Sequence, residues 1–141
     1  MSTHRYNYFV IFLIVGLSLV SFCCTTTAET VNWLTSYDKA LKLAKEKNKP
    51  IMVDFYAKWC GWCKRLDKDT YRDEKVIEVS RDFICLKIDG DKNRLLARKY
   101  EIRGYPTILF LDGDGKKIGG GPGYRDAGQL LSEMRQILKK Y

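Results

Sequence analysis

Val53-Asp54-Phe55-Tyr56-Ala57-Lys58-Trp59-Cys60-Gly61-Trp62-Cys63-Lys64 is the stretch on which the fold of this chain turns. It begins inside an apolar run and ends in two cysteines set two residues apart. Ile51 to Ala57 is nearly unbroken in apolar side chains, as expected of a strand buried on both faces, with Asp54 as a charge inside it. Cys60 then opens a helix expected to reach about Tyr71. A cysteine at a helix start lies over unpaired backbone N–H groups at the positive end of the helix dipole, which favours its thiolate. Lys58 and Lys64 add positive charge nearby. Because the thiolate is the nucleophile of disulfide exchange, a lowered pKa raises the reactive fraction at neutral pH. Cys63, one turn further on, is within reach of Cys60 and expected to be the more buried. It suits the resolving role, breaking a mixed disulfide formed by Cys60.

The same spacing has other uses. A zinc site would need two further cysteine or histidine ligands, and here His4 is the only histidine and lies near the N-terminus. Of the five cysteines, Cys23 and Cys24 belong to the N-terminal segment, which leaves Cys85 as the only other thiol in the folded part. Three cysteines make an odd number, so the chain is no disulfide-stapled scaffold. A static Cys60–Cys63 disulfide stays open, although the strand-to-helix setting favours redox work.

Outward from this stretch the sequence alternates between the two structural periods. Tyr37, Ala40, Leu41 and Ala44 mark one face of an amphipathic helix, lysines fill the other, and Asn48-Lys49-Pro50 stops it. A third helix is expected from an Asp73 N-cap to about Arg81. Phe83 to Asp89 reads as a strand, Asn93 to Tyr100 as a short helix, and Thr107 to Leu111 as another strand. Asp112-Gly113-Asp114-Gly115 turns the chain into a short strand near Lys117 to Gly119. Ala127, Leu130, Leu131, Met134, Ile137 and Leu138 trace the buried stripe of a last helix. The fold class is therefore α/β: a three-layer sandwich whose mixed sheet has a parallel strand pair first and an antiparallel hairpin last, flanked by helices.

The 141 residues suffice for one domain. With 45% hydrophobic and 30% charged residues the composition is that of a globular chain rather than a disordered one. The net charge is +8. Lys42, Lys45, Lys47, Lys49, Lys139 and Lys140 fall on solvated helix faces and ends, with no arginine-rich stripe interleaved with aromatics. That pattern favours acidic partners or membrane surfaces over nucleic acid. Residues 1–28 read as a signal peptide: Arg5 precedes an apolar run from Phe9 to Cys24, too short to span a bilayer squarely, and Thr26-Thr27-Ala28 offers a cleavage site. The mature domain would be 29–141, with 24 basic against 17 acidic residues, a charge of +7. Lipidation at Cys23 or Cys24, or retention as an anchor, are the other fates.

Two motifs in order, the stretch quoted above and Ile102-Arg103-Gly104-Tyr105-Pro106-Thr107, resemble the thioredoxin superfamily. Gly61-Trp62 and the continuation Lys64-Arg65-Leu66 are similar to exported thioredoxin-like proteins, among them the C-terminal domain of a bacterial transmembrane disulfide reductase. The resemblance covers about Trp33 to Tyr141. It implies a thioredoxin-like fold, a redox-active Cys60–Cys63 disulfide, a cis Pro106 beside the cysteines where the backbone pairs with substrate, and Asp54 as a proton relay. Trp59, Trp62 and Tyr105 become candidate substrate contacts, with packing as the equal alternative for Trp62. The chain departs from thioredoxin in carrying Gly61-Trp62 where thioredoxin has Gly-Pro. A gapless alignment also puts Cys85 where thioredoxin has a lysine beside its buried acid. On that alignment Asp54 loses its cationic neighbour and its pKa rises through desolvation, while Cys85 itself reads as an inert core thiol.

The expected function is that of an exported, periplasmic or extracytoplasmic thiol–disulfide oxidoreductase acting on disulfide-containing proteins. It would work as a monomer, with a membrane thiol-electron donor upstream if it is reductive. No metal or organic cofactor is called for, because electrons travel as thiols. An oxidase or isomerase of the same fold is the nearest alternative. A non-enzymatic Cu(I) carrier is a more distant one, since no Met or His accompanies the pair. Asp89-Gly90-Asp91-Lys92-Asn93 starts like a calcium loop but has Arg94 and Tyr100 where Gly and Glu are required. Gly119-Gly120-Gly121-Pro122-Gly123 lacks the spacing and lysine of a phosphate loop and is expected to form a bulge and turn.

Overall fold

The computed structural model describes residues 30–141. The expected signal peptide, the expected mature start at Glu29 and the Cys23/Cys24 alternatives fall outside the described residues. The chain forms β1 (Trp33–Leu34), α1 (Tyr37–Lys47), β2 (Ile51–Tyr56), α2 (Gly61–Arg65), a π-turn (Leu66–Thr70) and α3 (Glu74–Ser80). It continues through β3 (Ile84–Asp89), α4 (Arg94–Lys99), β4 (Thr107–Leu111), β5 (Lys117–Pro122) and α5 (Ala127–Lys140).

Local chemistry sets these boundaries. Ser36 caps α1 by accepting from the Lys39 N–H, and Asn48 closes it in the left-handed conformation at φ 48°, just before Pro50. Asp73 caps α3, as expected, by accepting from Lys75 and Val76 N–H groups. Asp126 and Gln129 form a reciprocal capping box at the start of α5.

The sheet order is β1-β3-β2-β4-β5. β1 and β2 flank β3 in parallel, while β4 runs antiparallel to β2 and to β5. Side chains of β2 alternate between two cores. Met52 joins Leu66, Tyr71, Val76, Phe110, Leu130 and Met134 on the face under α3 and α5. Ile51, Val53 and Phe55 join Ala40, Ala44, Leu86, Ile88 and Leu109 on the face under α1. The result is the three-layer α/β sandwich expected, with a mixed central sheet.

Three local features differ from expectation. β1 is two residues long, too short to show a period, and is held by its pairing with Cys85 and Leu86 and by Trp33 packing edge-on against Tyr71. The helix expected from Cys60 to Tyr71 changes type midway: its second half is π-helical, with the Tyr71 N–H donating to Leu66 O, so that Leu66, Thr70 and Tyr71 all reach the core. The Gly119–Gly123 run is mostly strand rather than bulge and turn, since β5 extends through Pro122. Its glycines serve close packing: a Cβ on Gly119 would lie 2.6 Å from Ile137 Cδ1 of α5. Gly120 combines φ +83° with a backbone oxygen, Ile108 O, 2.2 Å from where a Cβ would stand.

Candidate active site

β2 ends at Tyr56, and three residues later the chain turns into α2 with Cys60 as its N-cap. Cys60 and Cys63 are joined as a disulfide, their Cα atoms 5.3 Å apart. The Cys63 N–H donates to Cys60 Sγ at 3.0 Å. This places one of the helix's unpaired donors on the first sulfur, so that once the bond is reduced a thiolate there meets a hydrogen bond and the helix dipole. Both residues are buried, at 4% and 2% exposure, so an attacking group has only a narrow approach. Ala57 lies with them, and Tyr56 and Tyr105 pack against the group. Trp59 and Trp62 flank it with 71% and 55% of their surfaces exposed.

Asp54 is fully buried in β2, on the face that Met52 shares with Leu66 and Tyr71. Its neighbour in the β2–β3 register is Lys87, whose Nζ sits 3.1 Å from Asp54 Oδ2. The expectation that Asp54 lacks a cationic neighbour is therefore wrong. Cys85 pairs with Met52, one strand repeat away from Asp54. A two-residue slip keeps every side chain on its own face, so the alternating pattern of β3 could not expose the misalignment. Lys87 also contacts the Asp67 carboxylate in the π-turn, and its ammonium lies 5.2–5.3 Å from the ring centroids of Trp33, Tyr56 and Tyr71. The rise in the Asp54 pKa nevertheless holds. Burial pushes it to about 6, against the pull of Lys87, with Asp67 pushing the same way as burial. No aligned hydrogen bond reaches either Asp54 oxygen or the neighbouring Tyr71 hydroxyl, and burial raises the Tyr71 pKa as well. Lys87 and Asp67 went unread in the sequence. The signal for Lys87 was a lone cation at an alternating position in Ile84–Asp89; Asp67 gave none, since only the π-turn brings it to Lys87.

The Tyr105–Pro106 bond is cis, and Pro106 is buried at the start of β4. The Gly123 N–H donates to Pro106 O at 2.8 Å, and Thr107 Oγ1 donates to Gly104 O at 2.8 Å, fixing the loop from both sides. Tyr105 stands edge-on to Trp59, with ring centroids 6.0 Å apart, and its hydroxyl passes over Gly90, where a Cβ would lie 2.2 Å away. Trp59 Nε1–H donates to Asp91 Oδ2 at 2.9 Å, tying the approach to the cysteines to the loop after β3. On the other flank Trp62 packs against Tyr124 at 5.4 Å, and the Arg65 guanidinium covers both rings. Trp62 thus packs on one side and is open on the other. Cys85 is buried away from the pair, its thiol bonded to Ser80 O and its pKa pushed up to about 12 by burial. Asp89 Oδ1 accepts from the Asp91 and Lys92 N–H groups, so the stretch that opens like a calcium loop is a capped turn.

A sulfur pair at a helix start, preceded by a strand that carries a buried carboxylate and packed by Tyr105 of a cis-proline loop, defines the class of thiol–disulfide oxidoreductases built on the thioredoxin fold. Within that class the comparisons are specific. The chain belongs to the thioredoxin-like domain family, whose family model matches residues 37–138. It is 36% identical over 99 residues to the thiol:disulfide interchange protein DsbD of Yersinia pestis, a match covering 66% of this chain and 17% of that much longer protein. Among solved structures it resembles a thioredoxin from Thermus thermophilus, with a TM-score of 0.70 and 27% identity over 79% of this chain and 89% of that one. It also resembles the oxidised C-terminal domain of Neisseria meningitidis DsbD, with a TM-score of 0.63 and 25% identity over 70% of this chain and 90% of that domain.

Proposed function

We propose that this chain is an exported enzyme that reduces or exchanges disulfides of protein substrates through Cys60 and Cys63. The observation that carries the reading is the Cys63 N–H held 3.0 Å from Cys60 Sγ at the start of α2. In the reduced enzyme the Cys60 thiolate attacks one sulfur of a substrate disulfide. That bond breaks, the other substrate sulfur leaves as a thiolate, and a mixed disulfide joins Cys60 to the substrate. Cys63, deprotonated, then attacks Cys60 Sγ, re-forms the Cys60–Cys63 bond and expels the second substrate thiolate. The substrate gains two electrons and the enzyme loses two. Asp54, buried on the side of the sheet where Leu66 extends α2, receives the Cys63 proton. Its pKa of about 6 leaves it mostly ionised yet still basic at neutral pH. Pro106 and Tyr105 border the groove in which an extended substrate segment pairs with backbone, and Trp59 and Trp62 offer apolar surface on either side.

The relatives named for disulfide interchange support exchange chemistry; the reducing direction, with a membrane thiol donor upstream, is part of the proposal. The redox potential tests it. Equilibrating the dithiol with thiol buffers and following tryptophan fluorescence should give a value near the reducing end of the family, about −270 mV. A potential above about −200 mV would instead make the enzyme an oxidase or isomerase, because about 30 mV is worth about 1.4 kcal/mol for this two-electron couple.

A further inference from the structure

Among the described residues five large apolar side chains stand exposed, and Leu95 is the most open of them at 83%. An exposed leucine is ordinary taken singly. This one is connected to the dithiol: Trp59, the residue before Cys60, donates to Asp91, and Asp91, Arg94 and Leu95 line one open groove of about 790 Å³. α4 buries Ala97 against the sheet and turns Arg94, Leu95 and Arg98 outward. From Asp91 to Arg103 the chain carries Lys92, Arg94, Arg98, Lys99 and Arg103 against only Asp91 and Glu101. Lys99 is engaged with the Tyr37 hydroxyl, and Asp91 with Trp59. The side chains of Lys92, Arg94, Arg98 and Arg103 have no hydrogen-bond or ion-pair partner among the described residues.

Exposed Leu95 in a groove with Lys92, Arg94 and Lys99 against Asp38 and Asp91, the last tied to exposed Trp59, has the make-up of a protein-docking patch, with an apolar anchor and a charged rim that steers encounter. A second copy of the chain would bring the same excess positive charge to the contact and be repelled. We propose that the α4 face beside the dithiol docks an acidic folded protein that carries the disulfide to be exchanged. The inference rests on the redox function proposed above and adds the class of substrate.

The test uses the full chain and two versions of a designed helical hairpin with one exposed disulfide, acidic with surface glutamates or basic with surface lysines. Hydroxyethyl disulfide, small and neutral, serves as the reference substrate. The acidic hairpin should react about tenfold faster than the basic one at low salt, the gap closing as salt is raised. The double variant Arg94→Glu/Arg98→Glu should erase the gap while leaving the hydroxyethyl disulfide rate unchanged. Leu95→Ser, at a position with little packing to lose, should slow the acidic hairpin at every salt concentration. Equal rates for the two hairpins, or a gap that survives either high salt or the charge reversal, overturn the docking proposal and leave the redox function standing. A wild type inert toward hydroxyethyl disulfide overturns both.

Discussion

Asp54 is the residue whose chemistry can be followed furthest from sequence to measurement. Its folded pKa of about 6 lies above the value near 4 of an unfolded aspartate. Between those values the folded protein holds a proton that the unfolded chain has released. Stability therefore falls as pH rises from about 4 to about 6, and the deficit persists above. Replacing the carboxylate by an amide removes it. Asp54→Asn should stabilise the oxidised protein by up to about 3 kcal/mol at neutral pH, a gain that fades toward about pH 4. Denaturant melts across that range check the sign. On the proposed mechanism the same variant slows resolution of the mixed disulfide by about 10²-fold at neutral pH, the scale of a lost general base. Lys87 supplies the opposing test. Lys87→Met removes the cation 3.1 Å from Asp54 and should move the carboxyl titration above about 6, read by infrared difference spectroscopy of the carboxyl band. An unmoved titration would mean that Lys87 serves Asp67 and the surrounding rings alone.

At the scale of elements, the loop after β3 and the cis-proline loop meet at one close contact. The Tyr105 hydroxyl occupies the space where a side chain at Gly90 would begin. Gly90→Ala should push Tyr105 off the cysteine pair and lower exchange rates by about tenfold or more, the cost of a misplaced positioning group. It should leave α1 and α5, on the outer layers, intact by circular dichroism. Unchanged rates would show that Tyr105 does not border the substrate path. The elements that could be read from sequence are those whose pattern is long and local. The nearly all-apolar β2, the α1 stripe with Asn48-Lys49-Pro50 behind it, the Asp73 cap and the α5 stripe each carry their own period and stop signals. What escaped reading depends on tertiary pairing. β1 exists only because β3 offers it an edge, and the π-turn only because Leu66, Thr70 and Tyr71 are all drawn inward. The Asp54–Lys87 pairing needed the strand register, which alternation fixes only to within two residues. Cys60, Cys63 and Pro106 were legible because adjacent residues spell out their motifs. Lys87 and Asp67 were not, because Lys87 meets Asp54 across 33 residues of chain and Asp67 across 20.

In the whole molecule the sheet orders these parts by distance from the dithiol. Cys85 and the start of β3 lie toward one end of the strands, while Cys60, Trp59, Pro106 and the start of α4 gather at the other. The apolar layers on both faces hold β2 rigid from Ile51 to Phe55, so the sulfur pair that follows it is presented on a fixed base. On the proposed mechanism the pair is reversible and asymmetric, with Cys60 the attacking sulfur and Cys63 the resolving one. Trapping tests it most directly. Cys63→Ser and Cys60→Ser variants are each reduced, offered a protein disulfide, quenched with acid and weighed by mass spectrometry. A mixed disulfide through Cys60 should accumulate in Cys63→Ser, with little or none in Cys60→Ser. Equal trapping in both variants, or none in either while the wild type also leaves the disulfide intact, would contradict it.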